Sequence, residues 1–223
     1  AWTGIGSLIF TTDVRGLAWY GNIWLGVGSG TNTLGYSING TTWVGLGATI
    51  FSTAGASVAF GGNIWVATGS GTNTLAYSYN GITWTGIGTS IFSTECVTVI
   101  WNGRLWLAGG AGTNTLAYSY NGINWIGLGS IFSTECYNID WNGFLWVAVG
   151  NGGTTNSIVF SYDGILWTGL GVNVLSTLGY AIAWTGNVWV AGGQGGNTFA
   201  YSYSGNVWTG AGSFVFTTST RFI

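Results

Sequence analysis

The segment Trp-X-Gly-X-Gly returns six times, with its tryptophans at Trp2, Trp43, Trp84, Trp125, Trp167 and Trp208, so the chain repeats itself every 41 or 42 residues. A period of that length constrains the fold more than any single residue does. Each copy is one supersecondary unit that cannot bury its apolar face alone and must stack on the next. Five copies lie between these marks, clearest over 84–124 and 125–166, and a sixth begins and stops at Ile223. A fixed repeat argues for one domain over 1–223 rather than for independently folding halves.

Within 98–125 the punctuation is most regular. Val99-Ile100-Trp101 is a β-prone run, and Asn102-Gly103 is a pair that accepts positive φ at both positions of a tight turn, which predicts a hairpin. A second strand is expected over 105–108, a loop over 109–114, and a third strand over 115–120 with Leu116, Tyr118 and Tyr120 alternating. Asn121-Gly122 is another tight turn, and a fourth strand follows over 124–127. Helices are excluded, because Gly and β-branched residues fill every window and no apolar pattern recurs at 3.6 residues.

Four short antiparallel strands per 41 residues is the pattern of a propeller blade. The expected fold is therefore all-β, a five-bladed β-propeller with four antiparallel strands per blade. The blades fall at about 16–46, 56–87, 97–128, 137–170 and 179–211. Strand four occurs six times, so the copies at 2–5 and 208–211 compete for one closing position. An incomplete six-bladed ring and strand exchange between chains are the alternatives. Phe214, Val215, Phe216, Phe222 and Ile223 are left over by this count.

The tryptophans recur at three places per repeat: the first strand (Trp19, Trp101, Trp141, Trp184, with Phe60 substituting), the second (Trp24, Trp65, Trp106, Trp146, Trp189) and the fourth. Flat rings at equivalent heights would fill the wedge between neighbouring sheets. Each buries on the order of 150–250 Å², or roughly 4–6 kcal/mol gross at about 25 cal/mol per Å². Packing is thus the first use of this aromatic wealth, ahead of stacking on ligands.

Composition narrows the partners. Only 4% of residues are charged and 47% are hydrophobic, so Ser, Thr, Asn and backbone must wet the surface of what reads as a soluble chain. Arg15, Arg104 and Arg221 are the only positive side chains, which argues against nucleic acid. A net charge of −2 over Asp13, Glu95, Glu135, Asp140 and Asp163 is too weak to steer ligands. No apolar run approaches the roughly 20 residues of a membrane helix, so no membrane span is expected. Ala1 opens directly on a repeat element, which fits either a removed leader or a start within an array. Cys96 and Cys136 share the context Ser-Thr-Glu-Cys in neighbouring repeats and read as buried free thiols.

Each repeat carries Ser-X-Asn/Asp-Gly-X-X-Trp: Ser37 to Trp43, Ser78 to Trp84, Ser119 to Trp125, Ser161 to Trp167, and Ser202 to Trp208, where Ser204 replaces the acid or amide. This resembles a shortened form of the Asp-box of sialidase-like (BNR-type) propellers, one residue shorter between Asp and Gly, and only Asp163 keeps the carboxylate. The resemblance implies a turn-stabilising device and carries no activity. Physically, the small polar residue can bind its own turn while Gly takes positive φ and Trp plugs the sheet below. Sialidase-like enzymes resemble one another in an arginine cluster, a tyrosine nucleophile and an acidic pair, and three scattered arginines cannot reproduce that cluster. With no His, no Lys and no metal-ligand group, neither an enzyme, a metal site nor a cofactor is expected.

The longer loops, 28–33, 69–74, 109–115, 150–157 and 192–198, are expected on one face beside entry segments ending at Asp13, Ala54, Glu95, Glu135 and Leu178. Candidate ligand-binding residues there are Asn32, Asn73, Asn114, Asn156 and Asn197, with Glu95 and Glu135. Amides exchange hydrogen bonds with sugar hydroxyls, although Gly-Thr-Asn-Thr is equally a sound loop sequence in which Asn caps its own turn. The overall architecture looks like five-bladed lectin propellers of the tachylectin-2 type. The expected function is accordingly a non-enzymatic, multivalent carbohydrate-binding module acting outside the cell or at its surface. The alternatives are a self-assembling structural protein of a coat, fibre or matrix, and an engineered repeat array without a selected ligand. Its partners would be glycans or further copies of itself as a homo-oligomer.

Overall fold

The computed structural model describes residues 9–213 together with Gly4, Gly6 and Ser219, and those residues contain strands, turns and no helix. The strands follow the repeat. The first repeat gives β1 (Asp13–Tyr20), β2 (Ile23–Ser29), β3 (Leu34–Ser37) and β4 (Val44–Gly45). The second gives β5 (Ala54–Gly61), β6 (Ile64–Ser70), β7 (Leu75–Ser78) and β8 (Thr85–Gly88). The third gives β9 (Glu95–Trp101), β10 (Trp106–Ala111), β11 (Leu116–Ser119) and β12 (Ile126–Gly127). The fourth gives β13 (Cys136–Trp141), β14 (Trp146–Gly150), β15 (Ile158–Ser161) and β16 (Thr168–Gly169). The last gives β17 (Leu178–Trp184), β18 (Trp189–Gln194), β19 (Phe199–Ser202) and β20 (Thr209–Gly210).

The described residues form two compact units whose boundary falls inside the third repeat. One holds the chain up to Trp106 together with Ser119–Trp125, and the other holds Leu107–Tyr118 and the chain from Ile126 onward. In the second unit, β13-β14-β15-β16 and β17-β18-β19-β20 are separate antiparallel four-stranded sheets in chain order. In the first unit the sheets run on from one repeat to the next, because single pairs join β2 to β5 (Ser29↔Ala54) and β6 to β9 (Ser70↔Glu95).

The first strand also carries a bulge. The first strand slips register by one residue between Val14 and Gly16, Gly55 and Ser57, Cys136 and Asn138, and Gly179 and Ala181. The extra residue bends the strand, and in the third repeat the first strand begins earlier than the run Val99-Ile100-Trp101 predicts, at Glu95. The second strand is longer too, reaching Ala111 through glycines expected in a loop. Its partner explains why: a Cβ at Gly69 would collide with the Ala54 carbonyl and the Phe51 ring, so only Gly lets the bulged backbone approach.

The hairpin at 102–103 departs from expectation in detail. Gly103 takes φ 97°, but among described non-glycine residues only Asn63 has positive φ. Asn102 instead turns its side-chain oxygen onto the N–H groups of Arg104 and Leu105, at 3.0 and 2.8 Å, closing the turn without leaving ordinary φ.

Alternate strand positions interleave between repeats. In the first unit Ile23, Leu25 and Val27 of β2 pack with Val58, Trp65 and Ala67 of the second repeat. In the second unit Leu145, just before β14, and Val147 and Val149 of β14 pack with Ile182, Trp189 and Ala191 of the last repeat. Each repeat therefore offers an aliphatic row forward and a tryptophan backward. Cys96 and Cys136 are buried, and their sulfurs lie 3.7 and 3.8 Å from the Thr98 and Asn138 carbonyls. At the carboxy-terminal side β20 pairs with β19 through Ala200↔Gly210 and Tyr201↔Thr209, so the later copy of strand four joins its own repeat. The competing copy at 2–5, Gly4 apart, lies outside the described residues, as do Phe214, Val215, Phe216, Phe222 and Ile223.

Candidate functional site

The turn between the third and fourth strands is built the same way in the first four repeats; in the last, where Ser204 stands in the amide's place, Ser202 Oγ still accepts the Gly205 N–H and Trp208 Nε1 still donates to the Gly205 carbonyl. In the second, Ser78 Oγ accepts the Gly81 N–H at 2.8 Å and donates to Asn80 Oδ1 at 3.1 Å. Asn80 Oδ1 also accepts the N–H groups of Ile82 and Thr83, at 2.9 and 2.8 Å. Trp84 Nε1 then donates to the Gly81 carbonyl at 3.0 Å. Gly81 adopts φ 75°, and a Cβ there would press on Ile23 and Leu25 of the preceding repeat. The turn thus satisfies its own backbone while docking onto its neighbour.

With its polar atoms turned inward, this loop pushes the residue after the serine into solvent. Tyr79, Tyr120, Tyr162 and Tyr203 occupy that place and are exposed, Tyr79 by 70% and Tyr203 by 77%, with Ile38 standing there in the first repeat. The predicted third strand over 115–120 ends at Ser119, so Tyr120 belongs to the turn rather than to the strand. Each described ring pair meets edge to face: Tyr77 and Tyr79 at 5.9 Å, Phe160 and Tyr162 at 5.8 Å, Tyr201 and Tyr203 at 6.0 Å. Phe144 adds a second edge contact to Tyr162 at 5.4 Å. Around the Tyr77–Tyr79 pair lies a cavity of about 180 Å³ lined also by Ser78, Asn80, Thr83 and Thr85. This is an aromatic platform ringed by hydroxyl and amide groups. The pattern Tyr-Ser-Tyr was visible in the sequence, but alternation alone could not say that its second ring leaves the sheet.

The asparagines expected to meet ligand hold loops together. Asn73 donates from Nδ2 to the Ile50 carbonyl and accepts the Gly88 N–H on Oδ1, both at 2.8 Å. Asn32 does the same with Ile9 and Gly47, and Asn197 with Val174 and Gly212. Asn114 and Asn156 accept the Gly129 and Gly171 N–H groups at 2.8 and 2.9 Å. The loop after strand two, the segment after strand four and the entry segment are thereby tied together within a repeat. For Asn32, Asn73 and Asn197 this engages half of the carboxamide's hydrogen-bonding capacity. Glu95 opens β9 opposite Ser70, and Glu135 forms a β-bridge with Ala111 while its carbonyl accepts the Asn151 N–H at 2.8 Å.

Two carboxylates are tuned in opposite directions. Burial pushes the Asp163 carboxyl up, but hydrogen bonds from the Leu166 and Ile165 N–H groups and from Ser161 outweigh it and leave its pKa below the ordinary 3.8. Asp163 therefore stays charged beside the Tyr162 platform. Asp140 is raised above 3.8, chiefly by burial, against hydrogen bonds from the Trp141 and Trp184 N–H groups at 2.7 Å each.

No protein-family profile and no curated protein sequence matches the chain. Solved structures do. The computationally designed Ika8 protein matches with a TM-score of 0.65 and 14% identity, over 94% of this chain and 64% of that one. YCF48 bound to D1 peptide matches at 0.60 and 16%, over 89% and 67%. The WD40 beta propeller domain of Doa1 matches at 0.61 and 11%, over 88% and 67%. The chain spans under two thirds of the designed protein's length, and at such identities the likeness is one of fold alone. Repeated antiparallel sheets, interleaved tryptophan faces and this structural likeness together make the chain a β-propeller by fold.

Proposed function

We propose that the chain is a non-enzymatic, multivalent carbohydrate-binding module, a five-bladed propeller of four strands per blade that offers a shallow sugar site on successive repeats. The observation that supports this best is the recurrence of an exposed tyrosine after the turn's serine in four repeats, with a second aromatic ring set edge to face against Tyr79, Tyr162 and Tyr203. A phenol ring presents an apolar face to the C–H side of a pyranose and a wet edge to its hydroxyls. Asn80, Thr83 and Thr85 supply hydrogen-bonding groups around the Tyr79 platform.

The size of the cavity sets the expected mode. About 180 Å³ falls below the roughly 300–1,000 Å³ of a drug-sized pocket, which suits one sugar ring held weakly. Weak, near-equivalent sites gain strength on a glycan-coated surface, where avidity exceeds single-site affinity by about 10²–10⁴. In this reading the platforms, rather than the loop-holding amides, supply the stacking surface, and the charge kept on Asp163 favours neutral over anionic sugars. An extracellular or surface-associated setting follows from the ligand.

Binding to an array of neutral glycans, followed by titration with a multivalent glycoconjugate, tests this. Replacing Tyr79, Tyr120, Tyr162 and Tyr203 together by alanine should lower avidity by at least about tenfold and leave the melting temperature unchanged. Capture undiminished in that variant, or no capture of any glycan by the wild type, would reject the reading.

A further inference from the structure

The fourth repeat departs from the others on one part of its surface. Its first hairpin turn carries Phe144, where the others have Asn22, Asn63, Arg104 and Asn187. Its third strand has Phe160 in place of Tyr36, Tyr77, Tyr118 and Tyr201. In the turn after that strand Asp163 replaces Asn39, Asn80, Asn121 and Ser204, and Leu166 stands where the first three repeats have Thr42, Thr83 and Asn124. Polar groups are lost, a ring is gained and a full negative charge appears, all in a single copy.

The fold brings these changes together. Phe144 and Phe160 both stand edge to face with Tyr162, at interplanar angles of 70° and 87°. Phe160 packs against the core of its unit and braces Tyr162 from within, whereas Phe144 and Tyr162 are 71% and 56% exposed. Two rings meeting as a T enclose a corner walled by the π face of each, whichever ring is the stem. Asp163 is the next residue, its Cα about 3.8 Å from that of Tyr162, and charges act over roughly 8–10 Å before salt screens them. Against the upward push of burial, bonds from Leu166, Ile165 and Ser161, all ending on Oδ1 at 2.8–3.0 Å, hold its pKa below 3.8. The chain has no Lys or Arg between Arg104 and Arg221, so nothing in this repeat neutralises the carboxylate.

These features select a cation of one kind. A quaternary ammonium has no N–H to satisfy and spreads its charge over methyl groups, so it needs aromatic faces and a nearby negative charge rather than acceptors in contact. A primary ammonium carries three N–H donors and a sugar several hydroxyls. This corner, without the hydroxyls that Tyr77 and Thr83 give the second repeat, serves both less well. We propose that the Phe144–Tyr162 corner of the fourth repeat, with Asp163 beside it, binds a trimethylammonium group that carries no adjoining phosphate, choline being the smallest example. The site goes beyond the glycan reading and does not rest on it, since the platforms of Tyr79, Tyr120 and Tyr203 lack both the second exposed ring and the carboxylate.

Ligand-observed NMR on the full chain provides the test, with choline, the uncharged alcohol in which carbon replaces the choline nitrogen, ethanolamine and phosphocholine as probes. Choline should show saturation transfer and an upfield shift of its methyl signal, the mark of protons held over ring faces. It should bind more tightly than each of the other three. Phe144→Asn and Asp163→Asn install residues that sibling repeats already carry, and each should weaken choline binding about two- to fivefold. Circular dichroism verifies that they fold, and Phe144→Arg, which copies the third repeat, replaces Phe144→Asn if the latter does not. Tyr162→Ala should abolish the upfield shift. The triple variant Tyr79→Ala, Tyr120→Ala, Tyr203→Ala should bind choline as the wild type does, whatever becomes of its glycan capture. Equal binding of the uncharged alcohol would reduce the corner to an apolar patch, and equal binding of ethanolamine to a simple ion pair; either overturns the proposal. So does phosphocholine binding as well as choline, choline binding untouched by Phe144→Asn and Asp163→Asn, its loss in the triple variant, or its absence in the wild type.

Discussion

Asp163 holds its turn with the same two bonds that Asn39, Asn80 and Asn121 make, to N–H groups two and three residues on, at 2.8–3.0 Å. Only the charge differs, and the charge ties stability to pH. Because the folded pKa of Asp163 lies below 3.8, its contribution is complete above that value and is lost as pH falls through the lowered folded value. Asp163→Asn should therefore leave the urea midpoint at pH 7 nearly unchanged and reduce the loss of stability on the acid side; an unaltered acid limb would show that another group carries it. Asp140 acts in the opposite sense. Its raised pKa means that burial of the charge costs stability at neutral pH, and this cost fades as pH falls through the raised value toward 3.8. Its two oxygens nonetheless serve the N–H groups of Trp141 and Trp184, joining β13 to the end of β17. Asp140→Ala should cost about 1–3 kcal/mol in chemical denaturation at pH 7, because the Trp184 N–H loses its partner.

At the scale of the element, the loop after strand two and its asparagine behave as one device. Gly86 lies where a Cβ would run into the Asn73 carboxamide, and Asn114, Asn156 and Asn197 crowd Gly127, Gly169 and Gly210 likewise. Glycine in the fourth strand is thus a consequence of asparagine in the loop. Asn73→Ala should lower stability by about 1–2 kcal/mol, read as a drop in melting temperature, since it strips partners from the Ile50 carbonyl and the Gly88 N–H. An unshifted melting temperature would mean water replaces both. Here the limits of legibility are physical. Asn-Gly pairs, Trp spacing and alternation place the turns and the strand order, because those depend on neighbours in sequence. Whether Asn73 faces a ligand or a carbonyl 23 residues away depends on where the chain returns, which no local pattern encodes. The bulge at Gly55–Ser57 was hidden for the same reason: its signature is the glycine on the partner strand, Gly69. Tyr120 read as a strand residue because the turn that expels it begins one position earlier, at Ser119.

Across the whole molecule, stability rests on a few large rings repeated in register. Trp65, Trp106, Trp146 and Trp189 are fully buried, as are Phe51, Phe92 and Phe132 from the entry segments. Trp189→Ala should cost about 3–5 kcal/mol and unfold much of the protein at moderate denaturant. Trp189→Phe should cost less, because the indole N–H that it removes is buried without a hydrogen-bond partner; equal losses would point to the N–H as the stabilising atom. The propeller fold was legible at this scale because the 41-residue spacing sums the same weak signal over every copy. The exposure of Leu17 and Trp24 was not, since in sequence they look like Val58 and Trp65 and differ only in what lies against them.

The Ser-Asn-Gly turn draws all its bonds from within three residues, so a duplicated segment of the gene would arrive with its own corner already built. Lineages carrying such arrays should therefore differ by insertion or deletion of entire modules, with recombination between near-identical copies as the mutational route, far more readily than by changes in length inside one.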